Sequence, residues 1–463
     1  MINMELLYKF RKSIIFFLQS LTVAAIVSVF LNSWNKYYAA ASFEFKGNYV
    51  VIVVYFFMIM VFMSVFGAFK YGSARLHDLI YSTCLATVGT NFFTYFELSL
   101  IARALLSPWG IIIASIIQCV FAFVCCYCTN SVYYLVNRVK NIIAVTDGGE
   151  TSAKFIKKMQ RIENRYKIES TISPTKQGLD AIKEAVKGYD AVLVCDDFDK
   201  TLQDEVVRYC YCIGKKIYIQ PSTTDIILSD SFKAQVFDSP VLVCKTRGLT
   251  NEQKAIKRLF DIVISLVGII IASPIMLGVA IAIKLCDGGH VLFKQNRLTR
   301  DGRIFNVLKF RSMYENTDKN DLRFARKNDD RITPVGKVIR ACRLDELPQL
   351  INILKGDMSI VGPRPERPAI AHEFMQEFPD FDLRHRVKGG LTGYAQIYGK
   401  YNTTPRDKLH MDLMYIENYS FWLDIKLIVM TVKILFVKES TEGFDETPEE
   451  KDAKSQNSDN GEN

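Results

Sequence analysis

Asp345 and Glu346 form an adjacent carboxylate pair, and a rigid turn follows them in the chain, Gly362-Pro363-Arg364-Pro365, in which two prolines and a glycine bracket an arginine. A guanidinium held by such a turn can meet a phosphate through its planar donor fork. Lys309, Arg311, Arg340, Arg384, His385, Arg386 and Lys388 add further cations. A carboxylate can act as a nucleophile or hold a hard divalent cation, and cations beside it can orient phosphate oxygens. The combination points to phosphate chemistry. Taken alone, Asp345-Glu346 is better explained as a solvated helix face paired with Arg340 and Arg343; the dense cations and the unusual turn shift that reading.

The elements that must position these groups can be read around them. Thr333-Pro334 starts a helix, because threonine can cap and proline at the first helical position loses no hydrogen bond. Its apolar positions run through Val335, Val338, Ile339, Leu344 and Leu347 before Pro348 interrupts. Adjacent helical residues point about 100° apart, so the two carboxylates cannot share a proton face to face but can line one pocket. Upstream, residues 262–283 form an apolar run long enough to span a bilayer, with Ser273-Pro274 at its middle. Proline there removes a backbone hydrogen bond and kinks the helix. Lys257 and Arg258 precede the run and Lys284 follows it, so both ends prefer the cytoplasmic face, as a re-entrant helix at 258–285 would allow. Downstream, Trp422, Ile425, Ile428, Val429, Val432, Leu435 and Phe436 are apolar at helical spacing, with Lys426, Lys433 and Lys438 free to snorkel; an interfacial helix and a buried core helix explain this equally well.

Four more apolar segments, residues 13–31, 49–69, 79–101 and 108–128, each approach the ~20 residues needed to cross ~30 Å of hydrocarbon. A four-span bundle over 1–138 is expected, with cytoplasmic termini from the bias of flanking Lys and Arg. Thr90-Asn91 and Glu97 lie within the third segment, where polar groups are costly; Glu97 at head-group level is the plainer reading. Residues 139–250 change to short β-branched runs at 142–145, 191–195, 216–219 and 241–244, the pattern of a small Rossmann-like α/β domain. Asp147-Gly148-Gly149 follows the first run without the full glycine fingerprint, so a regulatory or dimer-forming role is expected there instead of nucleotide binding. The chain carries 49% hydrophobic residues and a net charge of +9, and the acidic, disordered-looking tail 439–463 holds nine carboxylates against two lysines, leaving +16 elsewhere. That excess suits an anionic bilayer and phosphorylated substrates, and no nucleic-acid partner is expected. The eleven cysteines show no paired zinc or disulfide spacing, and no cleavable signal peptide is expected.

Residues 257–438 resemble the bacterial sugar transferase family, the monotopic polyprenyl-phosphate phosphoglycosyl transferases. The resemblance rests on Lys257-Arg258-Leu259-Phe260-Asp261, the Ser273-Pro274 break, Phe293-x-Gln295-x-Arg297, Lys309-Phe310-Arg311-Ser312-Met313, Leu344-Asp345-Glu346-Leu347-Pro348-Gln349-Leu350, and Lys355-Gly356-Asp357-Met358-Ser359 running into the Gly-Pro-Arg-Pro turn. With four spans and an α/β domain ahead of it, the chain looks like the longer members, which initiate capsule, exopolysaccharide or O-antigen repeat units. It departs at Lys388-Gly389-Gly390, where the commoner form is Arg-Pro-Gly; Lys388 keeps the charge but loses the bidentate fork.

The resemblance implies an α-rich catalytic domain over 251–438 carrying the re-entrant helix. It implies transfer of a sugar 1-phosphate from a UDP-sugar to undecaprenyl phosphate with release of UMP, Asp345 as nucleophile, and Mg2+ held by Asp345 and Glu346. Lys309, Arg311, Arg340, Arg364, Arg386 and Lys388 would contact phosphate. Residues 398–414 resemble capsule-initiating members that use UDP-glucose or UDP-galactose. The expected location is the bacterial cytoplasmic membrane with the catalytic domain on its inner face, and the α/β domain is a reasonable place for a homodimer contact. Two other classes stay open: a membrane-anchored nucleotide-sugar dehydratase or epimerase, which needs a glycine fingerprint this chain lacks, and a non-enzymatic scaffold for polysaccharide assembly.

Overall fold

The computed structural model describes residues 10–38, 46–72, 74–137, 139–160, 166–229, 231–236, 238–244, 248–314, 331–399 and 403–435. The acidic tail and Lys438 lie outside the described residues. The chain divides into two compact units, Met1–Ser222 and Thr223–Asn463; the division falls within the stretch 139–250 that the sequence pattern suggests is one domain.

Four helices open the first unit: α1 (Arg11–Ser33, continuing as a π-helical turn over Trp34–Tyr38), α2 (Gly47–Phe66), α3 (Leu76–Ile101) and α4 (Trp109–Val136). Four helices of the described chain are long and apolar enough to cross a membrane: α1 with its extension, α2, α4, and the long helix of the second unit. The remaining one, α3, is apolar on the outside and polar within. Phe92, Phe93 and Phe96 are exposed, whereas Ser82, Thr83, Thr87, Thr90, Asn91 and Thr94 are buried. In hydrocarbon such groups need partners within the protein, and Ser82, Thr83, Thr87 and Thr90 donate to carbonyls four residues earlier in α3. Asn91 accepts from the Tyr55 hydroxyl at 2.8 Å and donates to Gln118 Oε1 at 2.7 Å, and Gln118 donates to the Ile26 carbonyl at 2.8 Å, so one network ties all four helices.

The rest of this unit is a four-stranded parallel sheet of β1 (Lys140–Val145), β2 (Tyr166–Ile172), β3 (Ala191–Val194) and β4 (Lys216–Ile219), in the order β2-β1-β3-β4. Helices α5 (Glu150–Gln160), α6 (Pro174–Lys187) and α7 (Lys200–Cys212) connect the strands. The central strands read as unbroken apolar runs because both faces are covered: Ile143, Val145, Val192 and Val194 pack on one side, and Ile142, Ala144, Ala191 and Leu193 on the other. β2 escapes a search for β-branched runs because it is an edge strand whose exposed positions carry Lys167 and Glu169. The run at 241–244 is a strand, but not of this sheet: β6 (Ser239–Val243) pairs antiparallel with β5 (Phe232–Val236) in a separate ribbon of the second unit, after the short helix α8 (Thr223–Ser229).

Helix α9 (Asn251–Asp287) begins with a capping box between Thr250 and Gln253. Pro274 lies inside it. Proline has no N–H for the carbonyl four residues earlier, and the Ser273 hydroxyl donates to that carbonyl, Ile270 O, at 2.8 Å. The Ser-Pro pair thus repairs the gap it opens. Ser273→Ala should lower the thermal unfolding midpoint of the detergent-solubilised chain by the equivalent of about 1 kcal/mol, the net worth of one hydrogen bond.

The remaining elements are the hairpin β7 (Leu292–Leu298) and β8 (Ile304–Phe310), α10 (Pro334–Ala341), α11 (Gln349–Lys355), β9 (Ser359–Val361), α12 (Pro368–Glu377), β10 (Gly390–Thr392), α13 (Tyr394–Tyr398), α14 (Pro405–Glu417) and α15 (Phe421–Leu435). Phe305, Val307, Ile353, Met358, Phe381, Leu413, Tyr415 and Leu427 fill their core. α15 packs Leu427 and Met430 inward and leaves Trp422 exposed, so it combines a core face with an outer one.

Candidate active site

The helix that starts at Thr333-Pro334 does not run on to Leu347; it ends at Ala341, which corrects the continuous helix suggested by the apolar spacing. Residues five apart in a helix lie about 140° around from one another, so an unbroken helix cannot bury Ile339 and Leu344 together. Both pack with Val279 and Phe310, because Arg343 takes a left-handed conformation (φ 54°, ψ 21°) that turns the chain into a 3-10 turn, Leu344–Glu346. Positive φ at an arginine is strained by about 1–2 kcal/mol, and strain of this kind gathers at functional sites. Asp345 and Glu346 are therefore carried on a tight turn between α10 and α11.

The β7–β8 hairpin supplies the facing cations. Its antiparallel register sets Phe293 opposite Lys309, Gln295 opposite Val307 and Arg297 opposite Phe305, so Gln295, Arg297 and Lys309 project from one face. Lys309 Nζ donates to Glu346 Oε1 at 2.9 Å. Arg364 Nη2 donates to the same oxygen at 3.2 Å. Burial pushes the Glu346 carboxyl up, but the charges of Lys309 and Arg364 outweigh it and hold the group well below the usual carboxylate range. At Asp345 burial wins and raises the pKa, with Lys309 opposing and the Glu346 charge adding to the rise. Two neighbouring carboxylates are thus pushed apart, one locked as an ion-pair partner and the other poised. Arg340 helps to stabilise the charged form of Asp345, and its Nη1 is buried without a hydrogen-bond partner among the described residues.

Backbone packing aims Arg364. Gly362 N donates to Thr392 O at 2.8 Å and Gly390 N to Pro363 O at 2.9 Å, binding the Gly-Pro-Arg-Pro turn to β10. A Cβ on Gly390 would stand 2.1 Å from Gly362 N, so this crossing admits no side chain. Behind the turn, Arg384 is 2% exposed, donates to the Arg364 carbonyl at 3.0 Å and pairs with Asp412 at 2.7 Å. Arg297 donates to Pro365 O at 3.0 Å, and burial together with the nearby Arg364 charge draws its pKa below the usual guanidinium range.

Of the residues proposed from sequence, Asp345, Glu346, Lys309, Arg340 and Arg364 converge. Arg311 is turned elsewhere: its buried guanidinium pairs with Asp287 at the end of α9. Arg386 and Lys388 line a different cavity with Arg258 and Arg300. Ser273 and Pro274 stand within α9 as described. Sequence inspection overlooked Arg297, Glu366 and Asp412 as members of the site. For Arg297 the signal was present, since Phe293-x-Gln295-x-Arg297 is the two-residue alternation of one strand face. In the parallel sheet, the Asp147-Gly148-Gly149 loop is occupied from within, because Gly149 N donates to Asp197 Oδ2 at 2.8 Å.

Residues 252–438 match the bacterial sugar transferase family. Over 189 residues the chain is 38% identical to the UDP-glucose:undecaprenyl-phosphate glucose-1-phosphate transferase of Caulobacter vibrioides, an alignment covering 40% of this chain and 71% of that protein. The chain belongs to the bacterial sugar transferase family. It is also 43% identical over 183 residues to the UDP-N-acetylgalactosamine-undecaprenyl-phosphate N-acetylgalactosaminephosphotransferase of Aeromonas hydrophila, covering 39% of this chain and 43% of that one. A third relative, the undecaprenyl-phosphate glucose phosphotransferase of Komagataeibacter xylinus, is 44% identical over 205 residues, covering 41% and 38%. The chain thus spans less than half the length of the latter two relatives, and all three matches cover under half of this chain.

Proposed function

We propose that this protein transfers a sugar 1-phosphate from a UDP-sugar to undecaprenyl phosphate with release of UMP, the first membrane step in building capsule, exopolysaccharide or O-antigen repeat units. The observation that carries this reading is the Lys309–Glu346–Arg364 cluster beside a carboxylate of raised pKa, within the segment that matches the family. An Asp345 oxygen attacks the sugar-linked phosphorus, the bond to the UMP oxygen breaks, and UMP leaves. The phosphate of the lipid acceptor then attacks the same phosphorus, forming a diphosphate and returning Asp345 as a carboxylate. Lys309, Arg364 and Arg340 neutralise the phosphate oxygens while Glu346 keeps the first two cations in place. A hard divalent cation needs only one or two protein carboxylates where substrate phosphates complete its shell, so the adjacent pair fits Mg2+. Mg2+ held by Asp345 and Glu346 would lower the charge barrier between an attacking anion and a diphosphate.

The acceptor's head group lies at the bilayer surface, and α9 suits that location. Asp261, near its start, accepts hydrogen bonds from Ser359 Oγ and Ile360 N at 3.0 Å, while Asp287, at its end, pairs with Arg311. Both ends of one apolar helix are fastened to the same catalytic unit, whereas a transmembrane crossing would separate them by ~30 Å of hydrocarbon. We therefore favour a re-entrant helix bent near Ser273-Pro274, a multi-pass protein of the bacterial cytoplasmic membrane, and catalysis on its inner face. A homodimer contact through the α/β domain belongs to the same reading. Topology mapping tests it: Lys284 labelled from the outer face would defeat re-entry.

UDP-glucose and UDP-galactose are the donors we put first; residues 400–402 of the segment behind that choice lie outside the described residues. The decisive experiment is UMP release and label transfer to undecaprenyl phosphate by membranes carrying the full chain, across a panel of UDP-sugars. No UMP release with any donor would reject the function. Lys309→Gln gives a separate test by pH. Asp345 must be ionised to attack, burial raises its pKa, and Lys309 is the first charge opposing that rise. Removing Lys309 should move the acid limb of kcat/KM to higher pH.

A further inference from the structure

A second concentration of positive charge lies away from the carboxylate pair. A cavity of about 330 Å³ opens beside the first turns of α9, and Lys254, Lys257, Arg258, Arg300, Arg386 and Lys388 line it against one carboxylate, Asp261; Lys257 pairs with Asp424, Arg386 with Glu417, and Arg300 through Nε alone with Asp301. Asp261 is turned to Ser359 and Ile360. Arg258 is spent on the carbonyls of Ile353 and Leu354, at 2.6 and 2.8 Å, which fixes it as part of the wall. Lys388 has no ion pair among the described residues; burial and then the Arg258 and Arg300 charges pull its pKa down, with Asp261 opposing.

The lining of this cavity includes none of Lys309, Arg340, Asp345, Glu346 and Arg364. Its address comes from α9. Lys257, Arg258 and Asp261 are the last charged residues before 22 uncharged residues, 262–283, and on the outer side Ile256, Leu259 and Val263 are all more than half exposed. The first turns of α9 therefore stand at head-group level wherever the apolar stretch is in hydrocarbon, and a basic cavity at that depth is suited to a lipid phosphate.

We propose that this cavity is a lipid head-group site, in which Lys254, Arg300 and Lys388 hold the phosphate of an anionic lipid where α9 enters the bilayer. It rests on the membrane placement of α9, not on Asp345 chemistry. The shared ligand chemistry is a phosphate anion, and its sources can be told apart by native mass spectrometry of the full chain in detergent. Separate titrations would use phosphatidylglycerol, undecaprenyl phosphate, zwitterionic phosphatidylcholine, inorganic phosphate and UMP. The expected result is one retained phosphatidylglycerol or undecaprenyl phosphate per chain, weakened at least about tenfold in Lys254→Glu/Arg300→Glu, two charge reversals at a surface where each cation is worth ~1 kcal/mol. Asp345→Asn should keep that lipid, so a failed transferase reading and a failed lipid site give different results. The proposal is overturned if the double variant retains anionic lipid as the wild type does, if phosphatidylcholine is held equally well, or if only inorganic phosphate or UMP responds to the substitutions. Circular dichroism of the double variant, with both substitutions on partly exposed side chains, guards against misfolding.

Discussion

Asp345→Asn should cut UMP release by on the order of 10³-fold or more and leave no phosphosugar attached to the protein, because an amide cannot supply the attacking oxygen. The substitution keeps shape and volume on a turn already held by Lys309, Glu346 and Arg364, so the variant should unfold at a temperature close to that of the wild type. Loss of activity with an unchanged midpoint would separate chemistry from folding. The measurement is a single-turnover assay with labelled UDP-sugar followed by denaturing electrophoresis. Either retained UMP release or a trapped intermediate in the variant would remove Asp345 from the nucleophile role. Glu346→Gln should behave differently, losing the ion pairs that hold Lys309 and Arg364, so its defect should extend to substrate affinity.

The second large effect is expected at Arg384, which touches no substrate in this scheme. Its guanidinium is buried between Asp412, at 1% exposure, and Glu366, and supports the Arg364 carbonyl. Arg384→Met keeps most of the volume but leaves buried Asp412 without its ion-pair partner and Glu366 with Arg297 alone among the described residues, and removing one partner of a buried pair costs about 3–5 kcal/mol. The pH dependence has a definite sign. Burial raises the Asp412 pKa to about 6 even with Arg384 present, so folding takes up a proton there and this group's contribution falls as pH rises from the unfolded value of 3.8 toward 6. Without Arg384 the folded pKa climbs further, and the window of loss extends to higher pH. Arg384→Met should therefore lower the unfolding midpoint more at pH 8 than at pH 5.5. Asp412→Asn in the same chain should restore part of it, which a double-mutant cycle would read. Equal destabilisation at both pH values would mean that packing, not charge, accounts for Arg384.

How much of this was legible depended on how local the physics is. Apolar segments announce membrane helices by length alone, and α1, α2 and α4 lie where their runs lie. The third segment was also legible as a helix, but its residue types do not say that Ser82, Thr87 and Asn91 face inward while Phe92 and Phe96 face out; the partners Tyr55 and Gln118 on other helices decide that. Strand β2 was hidden by its own exposure, since an edge strand carries charge at alternate positions. The cations illustrate the same limit. Lys309, Arg311 and Arg364 are all basic residues in promising strings, yet Arg311 is committed to Asp287, a partner on another element that no spacing rule reveals.

By itself the sequence determined that the chain holds apolar helices, a small α/β domain and a segment of bacterial sugar transferase type, and it singled out Asp345, Glu346 and Arg364. These features are written in composition, periodicity and short strings, all of which act over neighbouring residues. Only the tertiary structure decided that the helix before Asp345 stops at Ala341, that Arg343 turns the pair toward Lys309, and that Arg386 and Lys388 stand in a separate basic cavity. The reason is physical. A backbone turn with positive φ, a glycine crossing too tight for a Cβ and a buried ion pair draw their stability from partners distant in the chain, and residue identity along one segment does not specify those partners.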